Sequence, residues 1–223
     1  PLNVSREMLQ NNRQIEVIKK SIVKKVLDTL SEMKNNEYEK YVSFYKEFGR
    51  VLKEGLHYDF SKREAIADLL LFVSTKTEAD KFTTLQNYIE GMKENQEDIY
   101  YISAQTLQDA LQSPYLENFL DKGYEVLIMT DDIDDILMSG FEYKGKKFKS
   151  VIRGDISLDK EDKKKHESET KEFAGIINLI KDTLKDDIKD VRLSSRLKDS
   201  PCCLVSDEGD IDPQMEKVFR AMG

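Results

Sequence analysis

The sequence predicts an α/β fold: a helical connector of antiparallel helices, then a small αβα layer, then a small α/β C-terminal module that reads as truncated. Three observations predict it. Apolar residues recur at helical spacing through the first 55 positions. Two short runs of β-formers, Ile99–Ile102 and Val126–Met129, flank helical sequence. The 223 residues are 35% charged yet hold only 10 Gly and 4 Pro, a balance that favours long solvated helices.

From Gln14, Ile15, Ile18, Ile22, Val26, Leu30 and Met33 fall on one face of a helix, with Val23 and Leu27 beside them. Asn35-Asn36 breaks it. A second helix follows with Tyr38, Tyr41, Val42, Tyr45, Phe48 and Leu52 on one face, ending near Gly55. The short connection makes the two an antiparallel pair, with the aromatic face as core. Ser61-Lys-Arg-Glu64 predicts a capping box that starts a helix through Phe72, and Thr83-Thr-Leu-Gln86 repeats the device before a helix through Met92.

The runs at 99–102 and 126–129 are predicted strands. Between them, Thr106–Leu111 is helical, and Ser113-Pro114 supplies an N-cap and an N1 proline for a helix through Leu120. Strand, helices and strand within about 30 residues form a crossover, so the two strands should be parallel. Asp131–Gly140 is a predicted helix with an acidic start. A turn at 142–146 precedes a strand at 148–152. Residues 155–171 are dense in Asp, Lys and Glu, which places a domain boundary there, giving modules 1–58, 59–154 and 155–223. In the last, Phe173, Ile176, Ile177, Ile180 and Leu184 predict an amphipathic helix, 191–193 and 202–205 strands, and Asp212-Pro213 a helix through Met222.

The charge balance narrows function. Acids number 43 against 35 bases, a net −8. Residues 1–54 carry 11 Lys/Arg and 8 Asp/Glu, so the remaining body bears −11. An acidic body argues against nucleic-acid binding, which needs a basic face. No apolar run approaches the roughly 18 residues of a membrane span, and no signal-peptide pattern opens the chain. Cys202 and Cys203 cannot build a disulfide framework, which points to a reducing, cytoplasmic setting. Together with the distant His57 and His166 they lack zinc-ligand spacing, so no metal site is expected.

Phosphate-loop, dinucleotide-fold and nucleophile-elbow signatures are missing. Cys202 sits in a run that reads as a buried, inert strand. Asp131, Asp132, Asp134 and Asp135 lack the spacing and terminal glutamate of a calcium loop and read as a solvated helix start.

One set of segments stands apart. The chain opens Pro1-Leu-Asn-Val-Ser-Arg-Glu-Met-Leu-Gln10, and continues with Arg13…Ile18-Lys-Lys…Ile22-Val-Lys-Lys25 and Phe48-Gly-Arg-Val-Leu-Lys-Glu-Gly55. Later blocks are Ala65-Ile-Ala-Asp-Leu-Leu70, Gln96-Glu-Asp-Ile-Tyr-Tyr-Ile-Ser-Ala104, Ser113-Pro…Glu117, Gly123-Tyr-Glu-Val-Leu127, Val191-Arg-Leu…Arg196-Leu…Ser200-Pro201 and Gln214-Met-Glu-Lys217. Taken together they closely resemble the middle-domain signature of the ninety-kilodalton heat-shock chaperones, closest to the bacterial type.

The resemblance implies part of an ATP-dependent folding machine: the later part of a middle domain and the start of a C-terminal domain. The nucleotide pocket, with its Mg2+, would belong to an N-terminal ATPase domain ahead of Pro1, and the dimerisation helices would follow Gly223. The matching arginine, Arg6, would reach the ATP γ-phosphate when that domain docks, with Gln10 and Asn3 as supporting polar contacts. Alone, the fragment would bind no nucleotide and be inactive. Clients would be unfolded or partly folded proteins meeting the junction of middle and C-terminal domains, with Ile136, Met138, Met215, Phe219 and Met222 as candidate contacts. The whole protein would be a homodimer. The alternative is a freestanding, nucleotide-independent protein-interaction scaffold.

Overall fold

The computed structural model describes residues 13–131, 133–138, 140–154 and 169–206. The chain divides into two compact units between Leu71 and Phe72.

The first unit is built on two helices, α1 (Arg13–Asn36) and α2 (Tyr38–Tyr58), joined through Glu37. They pack against each other, as their apolar spacing predicts. The buried stripe of α2 is Tyr41, Tyr45, Gly49, Lys53 and Leu56, spaced by four and then three residues along one side of the helix. Tyr41 also donates its hydroxyl to the Leu69 carbonyl. The predicted aromatic face splits in two, because Phe48 is 52% exposed and stacks on Phe44 at 5.2 Å rather than entering the core.

Next comes a single 3-10 turn, Phe60–Lys62, leading into α3 (Arg63–Ala67). The predicted capping box at Ser61 does not form. Asp59 takes the role, its carboxylate accepting from the Ser61 amide at 3.1 Å and the Ser61 hydroxyl at 2.7 Å. The helix predicted through Phe72 ends at Ala67. Leu69, Leu70 and Leu71 stay buried outside it.

The second unit holds a five-stranded sheet in the order β1 (Val73–Ser74), β3 (Leu127–Met129), β2 (Ile99–Ser103), β5 (Lys146–Ser150), β4 (Glu142–Tyr143). The strand β2 is parallel to both β3 and β5, in register Ile102 to Ile128 and Tyr100 to Lys149. The edge strands run antiparallel to their neighbours. The predicted parallel pair is therefore present, while β1 had no sequence signal beyond two residues. Phe72 exchanges backbone hydrogen bonds with Thr83 just before β1, which diverts the chain from the helix expected there. The predicted turn at 142–146 is the β4–β5 hairpin, with Lys144 and Gly145 both at positive φ (50° and 76°), as two-residue hairpin loops require.

Ile99 to Ile102 are all buried, so both faces of β2 are covered. Tyr100, Ile102, Val126 and Ile128 share a core with Ala110, Leu116 and Phe119 of the crossover. That crossover contains α5 (Leu107–Leu111), a 3-10 turn Pro114–Leu116, and α6 (Glu117–Asp121). Ser113 caps its element as predicted, and Thr106, read as helical from the sequence, is the N-cap of α5. The helix α4 (Leu85–Glu90) is capped by Thr84, one residue after the expected Thr83, through the Asn87 amide at 3.1 Å.

Beyond the sheet, α8 (Ala174–Thr183) confirms the predicted amphipathic helix, with Ile176 and Leu179 exposed. Residues 191–193 and 202–205 are not strands. Their neighbourhood is held by side chains instead, with one isolated bridge between Arg153 and Ser206. Cys202 is exposed rather than buried, and Cys203 is half-buried. The helix expected after Pro213 lies outside the described residues.

Candidate functional site

Asn3, Arg6 and Gln10 precede α1 and lie outside the described residues, as do Met215, Phe219 and Met222. Two predicted contacts are placed, both on α7 (Asp134–Met138). Ile136 is 57% exposed, whereas Met138 has no exposure. Two residues apart on a helix, they point to nearly opposite sides. Met138 is thus a core residue rather than the surface contact expected from sequence. Phe141 is buried as well, stacked on Phe148 at 5.5 Å. The loop before α7 is organised by Asp134, a buried carboxylate that accepts from the Asp131 amide at 3.2 Å. Asp131 and Asp134 thus lie at a helix start, but Asp134 is buried rather than solvated as expected.

The polar centre of the second unit is Tyr88. Its hydroxyl donates to the Glu125 carbonyl at 2.7 Å and accepts from the Tyr100 amide at 2.9 Å and from Gln96 Nε2 at 3.0 Å. Burial pushes this phenol's pKa upward, so it stays a neutral donor that ties α4 to β2.

A second polar cluster was not foreseen. Glu117 Oε2 accepts from the amides of Lys198, Asp199 and Ser200 at 2.7, 2.9 and 3.1 Å, while Oε1 accepts from the Ser200 hydroxyl. Those hydrogen bonds, led by the Ser200 hydroxyl, hold the Glu117 carboxyl down at about 2. Next to it, Asn118 donates from its amide to the Arg196 carbonyl at 3.0 Å and from Nδ2 to the Ser195 carbonyl at 2.5 Å. Sequence pointed to both halves, Ser113-Pro…Glu117 and Ser200-Pro201, but not to their meeting across more than 80 residues.

Among the described residues, no group of three or more His, Cys, Asp or Glu is placed to hold a metal ion. Burial pushes the Cys203 thiol up, away from the reactive thiolate. No described helix is long and apolar enough to cross a membrane.

The described residues form a helical pair followed by a small mixed sheet. The middle domain of a Plasmodium falciparum heat shock protein matches this structure with a TM-score of 0.59 at 36% identity, covering 63% of this chain and 60% of that one. The family model described as "Hsp90 protein" matches residues 1–223, and the chain belongs to that family. Its relatives include proteins named Chaperone protein HtpG: 50% identical in Geobacter metallireducens, 49% in Geobacter sulfurreducens and 44% in Mycobacterium avium. Each alignment covers 100% of this chain and 35% of the relative, so the chain spans about a third of their length.

Proposed function

We propose that this chain is the later part of the middle domain and the start of the C-terminal domain of an ATP-dependent chaperone that assists protein folding in the cytoplasm. The observation that carries this is the family match over the whole chain, including the Asn3-Val-Ser-Arg6-Glu-Met-Leu-Gln10 segment. In this reading residues 1–58 are the helical connector, 59–154 a small αβα layer, and 155–223 the first part of the C-terminal domain. ATP, with Mg2+, is the substrate of the whole protein and is held by its N-terminal ATPase domain.

Arg6 is the catalytic contribution of this chain. A guanidinium is permanently charged and presents a planar fork of donors, which matches the oxygens of a γ-phosphate. Because Arg6 comes from a separate domain, its charge arrives only on closure, which couples hydrolysis to domain docking. Gln10, four residues later in the sequence, adds an amide donor, with Asn3 as a further polar contact. Clients meet the exposed Ile136, together with Met215, Phe219 and Met222. The flexible thioethers of the two methionines suit varied partners. Dimerisation belongs to helices of the whole protein beyond residue 223.

The test is Arg6→Ala in the full-length protein. ATP turnover should fall at least about tenfold, as for loss of a donor to a transition-state charge, with nucleotide affinity changed less than about twofold. Equal turnover in mutant and wild type refutes the assignment.

A further inference from the structure

We propose that Glu117 is a positioning latch: it fixes residues 194–206, the stretch after α8, to α6 and so seats the start of the C-terminal module on the sheet layer. This rests on the assignment of residues 155–223 to the start of a C-terminal domain.

The geometry is that of an anion caged by backbone. Three successive amides, those of residues 198–200, converge on Glu117 Oε2, and the Ser200 hydroxyl closes on Oε1. Successive amides in such a turn form a concavity that prefers full negative charge. A carboxylate is acceptor-only and meets all four donors, whereas glutamine turns an NH2 toward one of them. The following Pro201 has a fixed φ and no N–H, so the chain turns away rather than extending the cage.

Further contacts flank the latch on both sides. Lys198 pairs with Asp121 at the far end of α6. Arg196, itself buried, donates from Nη2 to the Arg153 carbonyl at 2.7 Å and to the Gly154 carbonyl, where the chain leaves β5. Tyr115 donates to the Leu204 carbonyl, and the Gly154 amide donates to Ser206 at 3.1 Å. Residues 194–206 form no strand, and of these contacts the Glu117 cage alone gathers three successive backbone amides. Glu117 is joined to the core through the adjacent Leu116 and through Phe119 two residues on, both fully buried. The Glu117 carboxylate holds the backbone of 198–200 to α6, with the Asp121–Lys198 pair and the Asn118 bonds to residues 195 and 196 beside it.

The experiment is amide hydrogen exchange on the full-length protein, comparing wild type with Glu117→Gln and Ser200→Ala. Removing a charged acceptor from several donors should speed exchange at residues 198–200 by at least about tenfold in Glu117→Gln and by less in Ser200→Ala. Exchange in β2 and β3 should stay unchanged. In the same variants, refolding of a denatured reporter enzyme should fall severalfold while ATP turnover stays within about twofold of wild type. Unchanged exchange at 198–200, or equal acceleration across the sheet, overturns the latch. Faster local exchange with unchanged refolding overturns the coupling. Loss of the Arg6 assignment would show as Arg6-independent turnover in otherwise wild-type protein, leaving the exchange comparison to decide the latch separately.

Discussion

Glu117 and Tyr88 hold the second unit together in opposite ways. Tyr88 is a neutral hydroxyl sealed among three partners, while Glu117 is a partly exposed carboxylate stabilised in its charged form. That difference has a pH signature. The Glu117 carboxyl is depressed from 4.5 to about 2, so its contribution is present above the unfolded value and is lost as pH falls through the folded one. The charged groups beside it are Lys198 and Asp199 on the clasped loop and Asp121 on its own helix, with Lys198 itself paired to Asp121. The Ser200 amide chemical shift should therefore hold steady through pH 4.5 and titrate near 2; a midpoint at 4.5 would show that the cage does not form. Sequence located caps to within one or two residues, at Thr84 for Thr83 and Asp59 for Ser61. It missed the exact acceptors because several neighbouring hydroxyls and carboxylates are chemically equivalent until the turn geometry selects one.

At the scale of elements, α2 shows what helical periodicity can and cannot say. Its spacing located the helix and its buried side, and Tyr41 and Tyr45 are in the core. Phe48 has the same spacing and lies outside, because the neighbour that would cover it is a matter of packing rather than period. Gly49 marks the close approach. A Cβ there would stand 2.8 Å from Cε1 of the buried Tyr45 ring, so Gly49→Ala must displace an aromatic side chain with little room to move. Overpacking of about 1–3 kcal/mol outweighs the roughly 1 kcal/mol that alanine gains over glycine in a helix. The variant should unfold at lower urea concentration than wild type, whereas an increase in the midpoint would mean the ring yields freely. Strands at 191–193 and 202–205 failed for a related reason: short apolar runs were assigned a ladder, but their surroundings are bonded to side chains such as Glu117 and Tyr115.

Across the whole molecule, two compact units carry a chain with net charge −8. Ile136 is the surface residue on α7 that remains after Met138 proves to be core. In the full-length protein, Ile136→Asp should weaken capture of a denatured client at least about twofold while shifting stability by less than about 0.5 kcal/mol, as for a surface change. A matching loss of stability would assign Ile136 to packing instead. Helix positions, the parallel strand pair and the family were all legible from linear order, since periodicity, turn residues and matched motifs are local properties of the chain. Which side of α7 faces out, the β1 edge, and the Glu117 clasp came from the folded arrangement, because each depends on partners distant in sequence whose contacts no local pattern encodes.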